Sequence, residues 1–171
     1  VEHDLVQWLS RLSADTRFTP RYFELGFGLS RSRERDAASL TAPVDLALGL
    51  RLRGAIDVVE AARTTDAEGA PFLRATDHKT GELPEERLGI LNGGKTLQPV
   101  LYALALEAMF PEARVRSGRL YFCTSRGGFS EHEVMLDGTA RAAARDLITT
   151  IDRAVEQAFL PAAPRLKACE T

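Results

Sequence analysis

The chain has 171 residues, 44% of them hydrophobic and 27% charged, the composition of one globular domain large enough to bury a core. No apolar run is long enough to cross a membrane, and no secretory signal pattern is present. A formal net charge of −2 does not mark a basic nucleic-acid-binding domain, although an enzyme whose site is built from acids need not be basic overall.

Leu5, Val6, Trp8, Leu9 and Leu12 recur at helical spacing and predict an amphipathic helix over residues 4–13 with its apolar stripe in the core. His3, at its start, reads as a frayed surface residue. Pro20 to Gly28 contains Glu24 just ahead of Phe27-Gly28, and Arg31 to Asp36 is a mixed charge run that reads as an exposed loop. Leu46, Leu48, Leu50 and Leu52 alternate with Ala47, Gly49 and Arg51, which predicts a strand with a leucine face turned to the core. Ile56 and Val58 continue that face, and Asp57 has the opposite parity. Gly54 marks a bulge or a close backbone approach.

The polar segment Thr64 to Ala70 reads as a hairpin loop. The strand that follows, from Phe72, runs into Asp77-His78-Lys79-Thr80-Gly81, where Thr80-Gly81 ends it. Side chains two apart share a face of a strand, so Asp77 and Lys79 stand side by side. A hairpin centred near residue 67 sets Asp57 opposite Asp77. Converging carboxylates repel unless something neutralises them, and a hard divalent cation does so with oxygen ligands. Mg²⁺ or Mn²⁺ in such a place activates water and stabilises charge on a phosphate. A purely structural hairpin is the bland alternative.

Further on, Gly89 to Thr96 matches the Walker A pattern literally. Its upstream residues Glu85-Glu86-Arg87-Leu88 make a poor buried strand, and Pro99 falls where phosphate-binding backbone donors are needed. A Gly-Gly turn leading into a helix is the simpler account, with a nucleotide-binding protein as the minor alternative. That helix covers residues 97–109, with Leu97, Val100, Leu101, Leu104, Ala108 and Met109 as its apolar face. Gln98 and Tyr102, one turn apart, share another face. Residues 115–123 and 131–136 read as strands joined by a Gly-Gly turn carrying Arg126, and His132 reads as an ordinary exposed strand residue. A helix over residues 140–160, with Leu147, Ile151, Ala154, Val155 and Ala158 on one face, stops at Pro161.

Three motifs together, Gly54-x-x-Asp57, Asp77-x-Lys79-Thr80-Gly81 and Gln98-x-x-x-Tyr102, resemble in order and spacing the PD-(D/E)XK nuclease superfamily, in particular its RecB-like exonuclease branch. The resemblance runs from about Glu24 to the last helix. It implies an α/β fold with a restriction-endonuclease-like core, a small mixed sheet flanked by helices, and metal-dependent hydrolysis of DNA. It also implies the site. Asp57, Asp77 and the backbone carbonyl of His78 bind Mg²⁺ or Mn²⁺, Lys79 handles the attacking water, and Glu24, Gln98 and Tyr102 support. Members of this branch act as repair and recombination exonucleases beside a helicase domain or subunit, and some relatives are catalytically silent scaffolds that bind DNA.

Several such nucleases close on a 4Fe–4S cluster, and Cys169, followed by two residues and then the end of the sequence, resembles one ligand of such a group cut short. The cluster has too few thiolates within this sequence. Cys123 reads as a buried structural thiol. Two cysteines make no disulfide framework and suit a reducing, cytoplasmic setting. We expect residues 1–171 to be a single nuclease domain from a longer protein, truncated at both ends, because the chain starts at Val1 and stops at Thr171 without a finished element.

Overall fold

The computed structural model describes residues 2–46, 50–65, 69–83, 89–94 and 96–159. Its strands are β1 Phe18–Phe27, β2 Val44–Asp45, β3 Arg51–Leu52, β4 Gly54–Thr65, β5 Pro71–Lys79, β6 Arg114–Phe122 and β7 Glu131–Met135. Its helices are α1 Glu2–Ala14, α2 Gln98–Met109 and α3 Gly138–Glu156. Five strands form one sheet in the order β1-β4-β5-β6-β7, and β2 pairs with β3 as a separate ribbon. Only the β5–β6 pair of the main sheet is parallel. A parallel pair needs a long crossover, and α2 lies within it. The expected α/β class, a small mixed sheet flanked by helices, is the one observed.

β4 and β5 are buried on both faces, and the two faces differ in character. On one, Val59, Leu73 and Ala75 join Val100, Ala103 and Leu106 of α2 and Ala140, Ala144 and Ile148 of α3 in the core. On the other, the Glu60 carboxylate is only 2% exposed. It accepts hydrogen bonds from Arg74 Nε (2.9 Å), the Thr76 hydroxyl and Arg119 Nη2 (3.0 Å to each oxygen). Arg119 also donates to Glu131 at 2.8 Å, and Arg74 to Glu133 at 3.4 Å. The Arg74 guanidinium lies 3.8 Å from the centre of the Phe18 ring. These charges tie β4, β5, β6 and β7 together through side chains as well as backbone.

Four sequence expectations are corrected here. The apolar stripe of α1 is not core: none of its residues is buried, and Leu5, Val6 and Leu9 are about half exposed. The single leucine-faced strand is instead the ribbon β2–β3 followed by a fresh start at Gly54, with residues 47–49 outside the described set. In α3 the buried residues are Ala140, Ala144 and Ile148, while Ile151 and Val155 are exposed. Small residues spaced four apart let the first half of that helix approach closely, and helical period alone does not say how far along the contact extends. The N-terminus of α3 is capped by Asp137, whose carboxylate accepts from Ala140 N–H at 2.9 Å. In α2 the buried side includes Pro99, Ala103 and Leu106, and Ala108 is exposed.

A glycine that the sequence reading passed over explains how α2 is seated. A Cβ at Gly118 of β6 would overlap the carbonyl of Pro99, so the first turn of α2 rests directly on strand backbone. Gly118→Ala should therefore lose about 1–3 kcal/mol of stability in urea denaturation through overpacking. Gly138→Ala, where a Cβ meets nothing within 4 Å, should lose none. Glu60→Ala should cost about 3–5 kcal/mol in the same assay, because it strands two buried guanidinium groups.

Candidate functional site

β4 and β5 pair at Glu60↔Arg74, Val59↔Ala75 and Val58↔Thr76, the register of a hairpin centred near residue 67. Asp57 and Asp77 come next in line. There the backbone ladder gives out, and His78 N–H donates to Asp57 Oδ2 at 2.7 Å. The His78 imidazole Nδ1 is 3.7 Å from the same oxygen. A carboxylate thus stands where a strand carbonyl would otherwise accept.

Asp77 is 6% exposed and is held from two sides. Its Oδ1 accepts from Gln98 Nε2 at 2.9 Å. Its Oδ2 lies 2.6 Å from Lys79 Nζ, an ion pair in which that buried oxygen makes no aligned hydrogen bond. The Lys79 side chain is 35% exposed, so its ammonium reaches both the buried acid and solvent. Tyr102 follows Gln98 by one turn, and its ring meets Phe27 edge-on at 6.2 Å. Gly54 sits under this pair: a Cβ there would press on the Phe27 ring at 3.1 Å, which is the close approach its position in the sequence predicts.

Glu24 lies on β1 between the pairs Phe23↔Val58 and Leu25↔Ile56, so strand register places it across from Asp57. It is exposed, with a left-handed backbone (φ 49°). The structure therefore brings Asp57, Asp77, Lys79 and Gln98 together, sets Tyr102 beside them, and leaves Glu24 on the neighbouring strand. Cys169 lies outside the described residues. Cys123 is half-buried and its thiol donates to the Lys79 carbonyl at 3.6 Å. Arg126 pairs with Glu82 at 2.8 Å, and His132 is half-buried rather than exposed. Within Gly89 to Thr96, Asn92–Gly94 forms a 3₁₀ turn, α2 begins only at Gln98, and Lys95 is outside the described residues.

The two acids differ in their proton affinity. Burial pushes the Asp77 carboxyl up and Asp57 adds to this, and together they outweigh the pull of Lys79. Burial acts upward on Asp57 too, but the His78 imidazole and N–H outweigh it and hold that carboxyl below its ordinary value. Burial also raises the Tyr102 phenol, which keeps it a hydrogen-bond donor at neutral pH.

This donor set fits a hard divalent cation. Two carboxylates stand at the same end of the β4–β5 hairpin, and that of Asp77 has a buried oxygen without an aligned donor. Mg²⁺ is commonly held by one or two carboxylates, with water and substrate phosphate completing its shell. Among the described residues, no three His, Cys, Asp or Glu side chains gather into a metal-binding group. The sequence reading missed Gly118 and the backbone N–H of His78. An isolated glycine inside a strand pattern was a usable signal for the first; the second left none, because every residue but proline has an N–H.

Compared with known families, residues 2–171 match the model of the PD-(D/E)XK nuclease superfamily. No curated protein matches the chain.

The raised Asp77 carboxyl gives a signed prediction. Its ionised form is disfavoured in the folded state, so it lowers stability above its folded pKa, and that loss fades as pH falls below the unfolded value of 3.8. In chelator, Asp77→Asn should melt at a higher temperature than the unsubstituted chain at pH 7, and the gap should close in scans near pH 3.

Proposed function

The chain belongs to the PD-(D/E)XK nuclease superfamily, and from that premise we propose that it hydrolyses phosphodiester bonds of DNA with the help of Mg²⁺ or Mn²⁺. The observation that carries the reading is the meeting of Asp57, Asp77 and Lys79 at one end of the β4–β5 hairpin, with Gln98 hydrogen-bonded to Asp77. Asp57, Asp77 and the backbone carbonyl of His78 would hold the cation. When bound, such an ion neutralises charge on the phosphate and lowers the pKa of its water.

The chain's own residues do the rest. Gln98 orients the Asp77 carboxylate through its amide. His78 N–H does the same for Asp57. Lys79 is close enough to the acids to be positioned by them and exposed enough to meet substrate. It hydrogen-bonds the attacking water and offsets the negative charge that grows on the phosphoryl oxygens. Tyr102, kept protonated by burial, donates to a phosphate oxygen without adding charge that would compete for the cation. Glu24, across the strand from Asp57, supports the water.

The finer reading rests on the three motifs in order. It is that of a RecB-like exonuclease in a repair or recombination assembly, beside a helicase domain or subunit, in the cytoplasm. No helix among the described residues is long and apolar enough to cross a membrane. A 4Fe–4S cluster that includes Cys169 belongs to this reading only in a longer chain.

Lys79→Ala should cut Mn²⁺-dependent DNA cleavage by about 100- to 1,000-fold, the size of one lost charge-stabilising donor, with an unchanged circular dichroism spectrum. In calorimetry, Asp77→Ala should abolish Mn²⁺ binding, and ATP should give no heat with either the unsubstituted chain or Lys95→Ala. Undiminished cleavage by the Lys79 variant would defeat the assignment.

A further inference from the structure

We propose that the groove between α1 and the β1–β4 edge of the sheet takes an unpaired nucleobase of single-stranded DNA next to the phosphate being cut. This inference rests on the nuclease reading and adds a substrate class to it. The groove has a volume of about 590 Å³, within the usual range for a small-molecule site. Leu5 and Trp8 of α1 line it with Phe23 of β1, Val58 of β4 and His78 of β5, and it reaches Asp57.

Three observations point to a base as the occupant. The first is exposed apolar surface in the lining of the groove. Leu5 is 51% exposed and Phe23 56%, so the stripe of α1 and an aromatic ring of β1 face each other unsealed. The second is aromatic geometry. Trp8 meets the His78 ring edge-on, at 5.4 Å and 88°, and neither ring lies flat on the other. Flat stacking on an inserted ring remains open, and base–aromatic stacking is a main source of affinity in single-strand binding.

The third is charge. Asp4, Glu24 and Asp57 line the same groove. Carboxylates repel a phosphate but accept an uncharged heterocycle with amino donors. A base seated here leaves its phosphate at the Asp57 end of the groove, beside the candidate cation site. A paired base in a duplex is already stacked on both sides and cannot enter without being flipped out, so the groove favours single strands and frayed ends.

Trp8 is the only tryptophan in the sequence, and its emission reports on the groove directly. In the Lys79→Ala chain with Mn²⁺, a short single-stranded oligonucleotide should quench Trp8. An abasic strand of the same length should bind about 5- to 100-fold more weakly, the range of one lost stack, and leave the emission unchanged, as should a blunt duplex with clamped ends. Phe23→Ala should lose a similar factor for the base-bearing strand and none for the abasic strand. Leu5→Ser, on the exposed side of α1, supplies a second variant if the strand substitution disturbs folding.

Equal affinity for base-bearing and abasic strands, with steady Trp8 emission, overturns the groove assignment. In that case Mn²⁺-dependent cleavage by the unsubstituted chain, assayed in parallel, still stands for the nuclease reading. Quenching by bases with no cleavage under any metal would keep the groove and remove the nuclease.

Discussion

The Glu60 carboxylate sits in the middle of the sheet with guanidinium groups from two neighbouring strands closing on it. A slip of one residue between β4 and β5 would turn every side chain to the other face. It would also leave these buried charges without partners, a cost of several kcal/mol for each one stranded. Glu60 is three residues from Asp57, and Arg74 three from Asp77. The network therefore sets where the two candidate metal-binding acids meet, although it touches neither of them and lies on the opposite face of the hairpin from Asp77.

The other half of the arrangement comes from α2. Its first turn lands on β6 at Gly118, where only hydrogen fits under the Pro99 carbonyl. The proline has no N–H to leave unsatisfied in that contact. The residue before it, Gln98, is thereby brought to Asp77. Burial and the neighbouring Asp57 raise one acid, while the His78 imidazole and N–H hold the other down, which is why their proton affinities move in opposite directions. The acid with the raised pKa is the one kept beside an ammonium, so the charge that weakens the isolated fold is the charge that the proposed chemistry uses.

Much of this was legible in the chain. The Asp-x-Lys spacing gives a shared face once a strand is granted. The polar segment around residue 67 gives the fold-back that opposes Asp57 and Asp77, and the registers of β4 and β5 follow it. Gln98 and Tyr102 could be put on one helix by period alone. The failures have a common cause. Leu5 and Leu9 look like core because amphipathic pattern records which residues could be buried, not whether a partner surface exists. The leucines around residue 50 look like one strand, although alternation cannot reveal that Gly54 begins a new pairing with Phe27. Ile151 and Val155 keep the helical period although the buried residues of α3 end at Ile148.

By itself the sequence determined the chemical groups, their order and their local parity: two acids, an amine, an amide and a phenol on strand, strand and helix. These depend on bond geometry and on periods of two and 3.6 residues, which act over a few neighbours. Only the tertiary structure decided that the Gln98 amide reaches Asp77, that Glu60 is enclosed by Arg74 and Arg119, and that the apolar side of α1 stays open over a groove leading to Asp57. Those contacts join residues from 14 to 59 positions apart or more. They depend on which surfaces are left to cover one another once the sheet has closed, and no local pattern encodes that.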